Sequence, residues 1–146
     1  MASRNISSMA DLEKLMLQEA KKLCSMMATE VYEAINYFIN QYYQEWTPAV
    51  YQRTFEFLHS AFKTKVVQNG NSFETEVGID YESLDNYKNA TGLEVVTWAN
   101  SELHGSLDVG THTRVWDDTI EQTIESGQLL KDCIDFLRKR GFKVTT

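Results

Sequence analysis

The chain has 146 residues, of which 42% are hydrophobic and only one is proline, and it carries a formal net charge of -7. That is enough apolar material for one core in one domain. It excludes a spanning helix, because no stretch approaches the ~18 uncharged apolar residues that crossing a bilayer takes. The N-terminus also lacks the apolar core of a signal peptide, which implies a protein made and left in the cytosol. The charge is unevenly placed. Basic and acidic residues cancel through Asn69, Gly70 to Glu125 carries two cations against twelve carboxylates, and the segment from Ser126 onward is net basic. Phosphate neutralisation needs a concentrated basic surface, so sequence-specific nucleic-acid binding is disfavoured. An acidic middle and a basic end suit the joining of unlike protein surfaces.

Residues 1–8 read as a flexible start. Ser8 with Asp11 three residues later resembles a capping box and predicts a helix from about Met9. Nothing breaks it before Thr47-Pro48, so residues 9–46 form one long helix, about 55 Å at 1.5 Å per residue. Its apolar positions are Leu12, Met16, Ala20, Leu23, Met27, Val31, Ala34, Phe38 and Tyr42. They step by four, four and three, close to the pitch of a straight helix. Met9, Met16, Met26 and Met27 gather in the early half, and flexible thioethers suit either a core or an adaptable contact. Tyr37, Phe38, Tyr42, Tyr43, Trp46 and Tyr51 form an aromatic run whose only charge is Glu45. Base-stacking platforms need cations among the rings, so the run reads as a structural cluster. Tyr51, Phe55 and Leu58 then predict a helical turn or two.

Phe62 to Tyr81 reads as a β-hairpin with Asn69-Gly70 as its two loop residues. That register sets Val66 opposite Phe73, Thr64 opposite Thr75 and Phe62 opposite Val77. On the other face it sets Lys65 against Glu74 and Lys63 against Glu76, each favourable pair worth about 0.2 to 1 kcal/mol. A lone hairpin is marginal, so its apolar face requires the long helix as cover.

Residues 50–82 thus hold a short helix and the hairpin, a polar loop follows, and residues 93–144 are mainly helical. Leu93 to Leu103 predicts a short helix, His104 to Val115 a glycine-containing loop, and Trp116 to Ile124 and Leu129 to Leu137 two amphipathic helices parted by Ser126-Gly127. Gly141 after Arg138-Lys139-Arg140 is a helix C-terminus, and Phe142 to Val144 has the pattern of a short edge strand. The fold class is α+β: a long N-terminal helix on a small antiparallel sheet, with a helical C-terminal region.

The segment most like an active site is His104 to Asp118. Gly105 and Gly110 have P-loop spacing, but Thr111-His112 stands where Lys-Ser/Thr belongs. His104 and His112 with Asp108, Asp117 and Asp118 are metal-ligand types without the i, i+4 helical presentation that fixes a metal. Asp117-Asp118 at a helix start complement its dipole. Cys24 and Cys133 lie in segments that read as helices and are expected to be buried free thiols rather than a disulfide. No catalytic residue, metal or cofactor is assigned, and the chain is read as a non-enzyme.

The order of features resembles the tail-component, or tail-completion, proteins of tailed bacteriophages and prophages. Those proteins carry an Arg-Thr-Gly-x-Leu signature ahead of the first strand and a Glu-x-Gly-Thr turn after later strands. Arg53 and Thr54 match the first, with Phe55 in place of glycine and the leucine displaced to Leu58; Asp108, Gly110 and Thr111 match the second, with Asp for Glu. Trp46 to Thr54 and His104 to Asp118 are also similar to prophage virion proteins of Gram-positive hosts. The resemblance implies a structural protein of the virion, present in the host cytoplasm during assembly, that forms a homo-oligomeric ring at the head-tail junction. It implies contact with connector or portal-side subunits and with tail-tube subunits, while DNA passes through the lumen unbound. The subunit-interface residues expected from charge are Lys63, Lys65, Glu74, Glu76, Arg138, Lys139 and Arg140. Two other readings stay open: a phage-encoded acidic inhibitor or adaptor of a basic host protein, and a small metal-dependent hydrolase.

Overall fold

A computed structural model describes residues 6–49, 53–84 and 87–145. Helix α1 spans Met9–Glu45, 37 residues. It begins as the sequence predicts: the Ser8 hydroxyl accepts from the Asp11 N–H at 3.1 Å, and the Asp11 carboxylate accepts from the Ser7 N–H and the Ser8 hydroxyl. It ends where Trp46 turns extended ahead of Pro48. Beyond it, Tyr51 of the predicted helical turn lies outside the described residues. Phe57–His59 form a single 3-10 turn. Phe55 is not part of any turn of helix; its φ is 61°, the left-handed region where a side chain is strained.

The hairpin is present, but its register differs from the one read in the sequence. Strands β1 (Ala61–Lys63) and β4 (Val77–Ile79) pair Phe62 with Gly78 and Lys63 with Val77. Strands β2 (Val67–Asn69) and β3 (Ser72–Glu74) pair Gln68 with Phe73 and Asn69 with Ser72. The loop is therefore Gly70-Asn71, with Gly70 at φ 62°, the glycine-first pattern of a type II′ turn. Between the two ladders residues 64–66 oppose residues 75–76, a one-residue bulge. Thr64 stitches it: its hydroxyl accepts from the Glu76 N–H at 2.9 Å, its N–H donates to the Glu76 carbonyl, and its carbonyl accepts from the Thr75 hydroxyl. Lys65 does not oppose Glu74, nor Lys63 Glu76. Lys63 instead reaches α1, donating to the Thr29 hydroxyl at 2.8 Å and lying over the Tyr32 ring. Phe62 covers Gly78, where a Cβ would meet its ring at 3.2 Å.

Helix α2 (Gly92–Ala99) opens on a full capping box between Thr91 and Glu94. Helix α3 (Val115–Ile120) is capped by Asn100, whose side-chain oxygen accepts from the Trp116 and Asp117 N–H groups. It runs into a π-turn at Glu121–Glu125 and stops at Gly127, φ 75°. Helix α4 (Gln128–Lys139) closes in a Schellman arrangement, with the Phe142 N–H on the Leu137 carbonyl and the Gly141 N–H on the Arg138 carbonyl. Phe142 to Val144 adds no strand: after the Schellman turn the segment joins neither ladder.

The core centres on the C-terminal half of α1. Ile35, Ile39 and Tyr42 pack with Phe57, Leu84, Ala99 and Val115, and Ala61, Val77 and Ile79 of the hairpin lie against them. The early half is covered less. Leu23, Cys24 and Met27 sit half-buried in a groove between Phe73 and Leu129, and both cysteines are free and half-buried rather than buried. Toward its start α1 carries no buried residue before Glu19, and Met9 and Met16 are 79% and 54% exposed. No helix among the described residues is long and apolar enough to cross a membrane.

Candidate functional site

A cavity of about 640 Å³ opens where the end of α1 meets the Arg53–Phe57 segment, the stretch before and within α2, and the turn after it. Two adjacent aromatic residues near the end of α1, Tyr42 and Tyr43, line it, and Trp46, just past the helix end, packs beside them. Tyr42 is buried, meets Phe57 edge-on and stacks on His104 at 3.9 Å, while its hydroxyl donates to the Leu103 carbonyl. Tyr43 carries the Arg53 guanidinium over its ring at 4.9 Å and the Phe55 ring at 5.8 Å. Trp46 lies between, its ring 5.1 Å from His104 and 5.9 Å from the Arg53 guanidinium carbon. Arg53 Nη1 donates to the Tyr43 carbonyl at 2.8 Å, which fixes the fork against the helix end. Of the predicted aromatic cluster, Tyr42 and Tyr43 line the cavity and Trp46 packs beside them, Tyr37 is exposed with its ring edge-on to Phe38, and Tyr51 lies outside the described residues.

Two polar atoms in that wall are buried without a hydrogen-bond partner: Arg53 Nη2 and His104 Nε2. The cost of leaving such a group unpaired is about 1 to 3 kcal/mol, more for a charged one. His104 is only 5% exposed. Burial, and then the Arg53 charge, push its imidazole below its ordinary value, outweighing Glu45 and the Tyr42 carbonyl, so the ring is neutral near pH 7. Burial raises the Tyr43 hydroxyl well above its usual range, with Tyr87 beside it adding to the effect. Glu45 is committed elsewhere: its carboxylate accepts from the His112 and Thr113 N–H groups and the Thr113 hydroxyl. The Arg53 side chain forms no ion pair with a carboxylate among the described residues.

The structure brings together only part of the residue set singled out by sequence. Arg53 and Thr54 line the cavity with His104, whereas Leu58 packs at the edge of the core. Phe55, in the place where the resemblance has glycine, keeps the backbone conformation that glycine adopts without strain. Asp108 accepts from the Gly110 N–H at 3.1 Å in a local turn, and buried Thr111 donates to the Glu102 carbonyl, so this motif shapes the loop. His112 is exposed and Asp117 and Asp118 cap and neutralise Arg114 at the start of α3. Among the described residues no three His, Cys, Asp or Glu side chains converge as metal ligands.

The C-terminal cations lie at the opposite end of α1. Arg140 is paired within the chain, 2.6 Å from Glu19 and stacked on Phe136 at 3.5 Å, and Arg138 stands 4.0 Å from Asp135. Lys139 is exposed, as are Lys65, Glu74 and Glu76 around the hairpin. Sequence reasoning missed the cavity contributions of Tyr87, Lys88 and Trp98. One signal was available: Lys88 is one of only two cations in the acidic middle of the chain.

The family model that matches this chain is that of YomN, over residues 8–139. The chain belongs to the YomN family. That is a protein family of Bacillus phage and prophage type, so the chain is phage-related, in agreement with the broader part of the resemblance in the sequence. No curated protein and no solved structure matches it. YomN membership covers α1 through α4, the whole of the core and the cavity.

Proposed function

We propose that this YomN-family protein is a virion structural component of the head-tail junction, a tail-completion or neck protein rather than an enzyme. In this reading it assembles as a ring that joins the connector to the tail, with DNA passing through the lumen. The observation that carries the proposal is the start of α1. Leu12, Leu15 and Leu17 are only half covered, and Met9 and Met16 stand in solvent, beyond the point where Glu19 receives Arg140. An apolar helix end that the described residues leave open supports contact with a second copy, and adaptable methionines suit such a seam. A ring is a closed set of heterologous contacts, in which one surface meets a different one on the next copy. The exposed Lys139 and Lys143 and the acidic middle supply unlike surfaces for it.

The test is co-production with the portal and tail-tube proteins of a phage that encodes it, followed by native mass spectrometry. A closed homo-oligomer bound to at least one of them is the expected result. A protein that stays monomeric with both present loses the ring assignment. Met9→Gln with Met16→Gln is expected to abolish the oligomer while leaving the urea midpoint of the monomer unchanged.

A further inference from the structure

The cavity between Tyr42, Arg53 and His104 has a chemistry that the ring does not use. Its lining includes Phe57, Tyr87, Val95, Trp98 and Leu107, an aromatic and aliphatic floor. Its volume falls within the range of about 300 to 1,000 Å³ typical of ligand sites. Among the described residues the charges in that lining are Arg53 and Lys88, with no carboxylate, in a protein whose formal net charge is -7. The contrast is local as well. From Gly70 to Glu125 the two cations are Arg114 and Lys88, and Arg114 is surrounded by Asp117, Asp118 and Glu121. Lys88 alone of the two faces the cavity.

We propose that this cavity is a receptor for the C-terminal carboxylate of a partner polypeptide whose last side chain is aromatic or aliphatic. Arg53 Nη2, buried and lacking an acceptor, donates to the carboxylate, a charge-assisted bond for which a guanidinium is well shaped. Lys88 adds a second positive charge from the lining. His104 Nε2, buried without a hydrogen-bond partner, can take a donor from the ligand in the tautomer that leaves it unprotonated. The N–H of the terminal residue is the group that meets it. The terminal side chain then rests on the Trp98, Tyr87 and Phe57 surface. Capture of a chain terminus by a few fixed polar groups is a recurring recognition mode. Phe55, held at φ 61°, packs its ring on Tyr43, the ring that also carries the Arg53 guanidinium, and strain of this kind gathers at binding sites.

The site belongs to a single copy of the chain, so its test is separate from that of the ring. The probes are N-acetylphenylalanine, its primary amide, 3-phenylpropionate and a hexapeptide ending in phenylalanine with a free carboxylate. Binding to the full chain is read from tryptophan fluorescence and from amide and indole NMR shifts. N-acetylphenylalanine is expected to shift the Trp98 indole and the Lys88 and Gly105 amides. The neutral amide should bind at least about tenfold more weakly, 3-phenylpropionate several-fold more weakly, and the hexapeptide about tenfold more tightly. Arg53→Gln should cost about tenfold or more, and Lys88→Gln about threefold, with circular dichroism checking that each variant is folded. Equal binding of acid and amide on the unaltered protein, shifts that map elsewhere, or no binding at about 10 mM acid would overturn the site. A hexapeptide no tighter than N-acetylphenylalanine would overturn the polypeptide assignment.

Discussion

The two halves of α1 carry the same apolar rhythm and meet different fates. From Ala28 to Tyr42 the helix is the axis of the core: Ile35 and Ile39 are completely buried, and the hairpin, α2 and α3 close around them. From Met9 to Met27 the buried side chain is a carboxylate, Glu19, and the leucines and methionines are half covered or open. Periodicity states which face of a helix is apolar, but not what will cover it. The C-terminal half finds its cover in this chain; among the described residues the N-terminal half meets the hairpin, near Leu17 and Lys21 and at Phe73, and α4, at Leu129 and through Arg140.

Substitution should expose the contrast at once. Ile39→Ala removes a fully buried side chain and is expected to cost about 2 to 5 kcal/mol in urea unfolding. Met16→Ala, on the same helix, should stay within about 0.5 kcal/mol for the monomer. Comparable losses at the two positions would show that the early half is as well packed as the late one.

The same difference explains what could be read from the sequence. α1 was legible from end to end, because Ser8, Asp11 and Thr47-Pro48 act locally and state its limits. Gly127 and Gly141 likewise announce the two ends flanking α4. The hairpin was legible but its register was not. Asn69-Gly70 suggests a loop of those two residues, whereas the chain places Gly70-Asn71 there and absorbs the slip in a bulge tied by the Thr64 hydroxyl. A single threonine in a run of alternating residues gives no warning of that. The aromatic wall was visible as a cluster, but the cavity was not, since Tyr42, Arg53, Lys88 and His104 come from four separated stretches. Arg53 and Thr54 were marked by resemblance alone, and only the fold shows that Arg53 has a donor left over.

Glu19 sits at the border between the halves and offers the next test. Its carboxyl is held below the ordinary 4.5, first by the Lys22 hydrogen bond at 2.9 Å, against the opposing effect of burial, with Arg140 adding to the lowering. A carboxylate with a lowered folded-state value stabilises above the ordinary range, and the contribution is lost as pH falls through the folded value. Glu19→Gln is therefore expected to cost about 1.5 to 3 kcal/mol at pH 7 and to flatten the fall in stability below about pH 4.5. Stability curves that run parallel from pH 7 to pH 3 would remove Glu19 as the clasp of α4. Glu45 at the other end shows the same direction, since Thr113 and two N–H donors overcome the effect of burial. It is more exposed, so Glu45→Gln should cost about 1 kcal/mol.

The smallest effect probes the wall behind Arg53. At most exposed positions alanine is the more stabilising replacement and glycine the less, because glycine leaves more freedom in the unfolded chain. Phe55 should reverse that order. Both substitutions lose the ring stacked on Tyr43, worth about 0.5 to 1.5 kcal/mol. Alanine keeps the strain of φ 61°, about 1 to 2 kcal/mol, while glycine releases it. Phe55→Gly is thus expected to lie within about 1 kcal/mol of the unaltered protein, and Phe55→Ala about 1 kcal/mol below Phe55→Gly. Thermal melts of the two variants side by side give the comparison without needing either absolute value. Alanine above glycine would mean that the segment relaxes out of the left-handed region once the ring is gone, so that the Tyr43 stack, and not the packing of the covered half around Phe57, holds the turn.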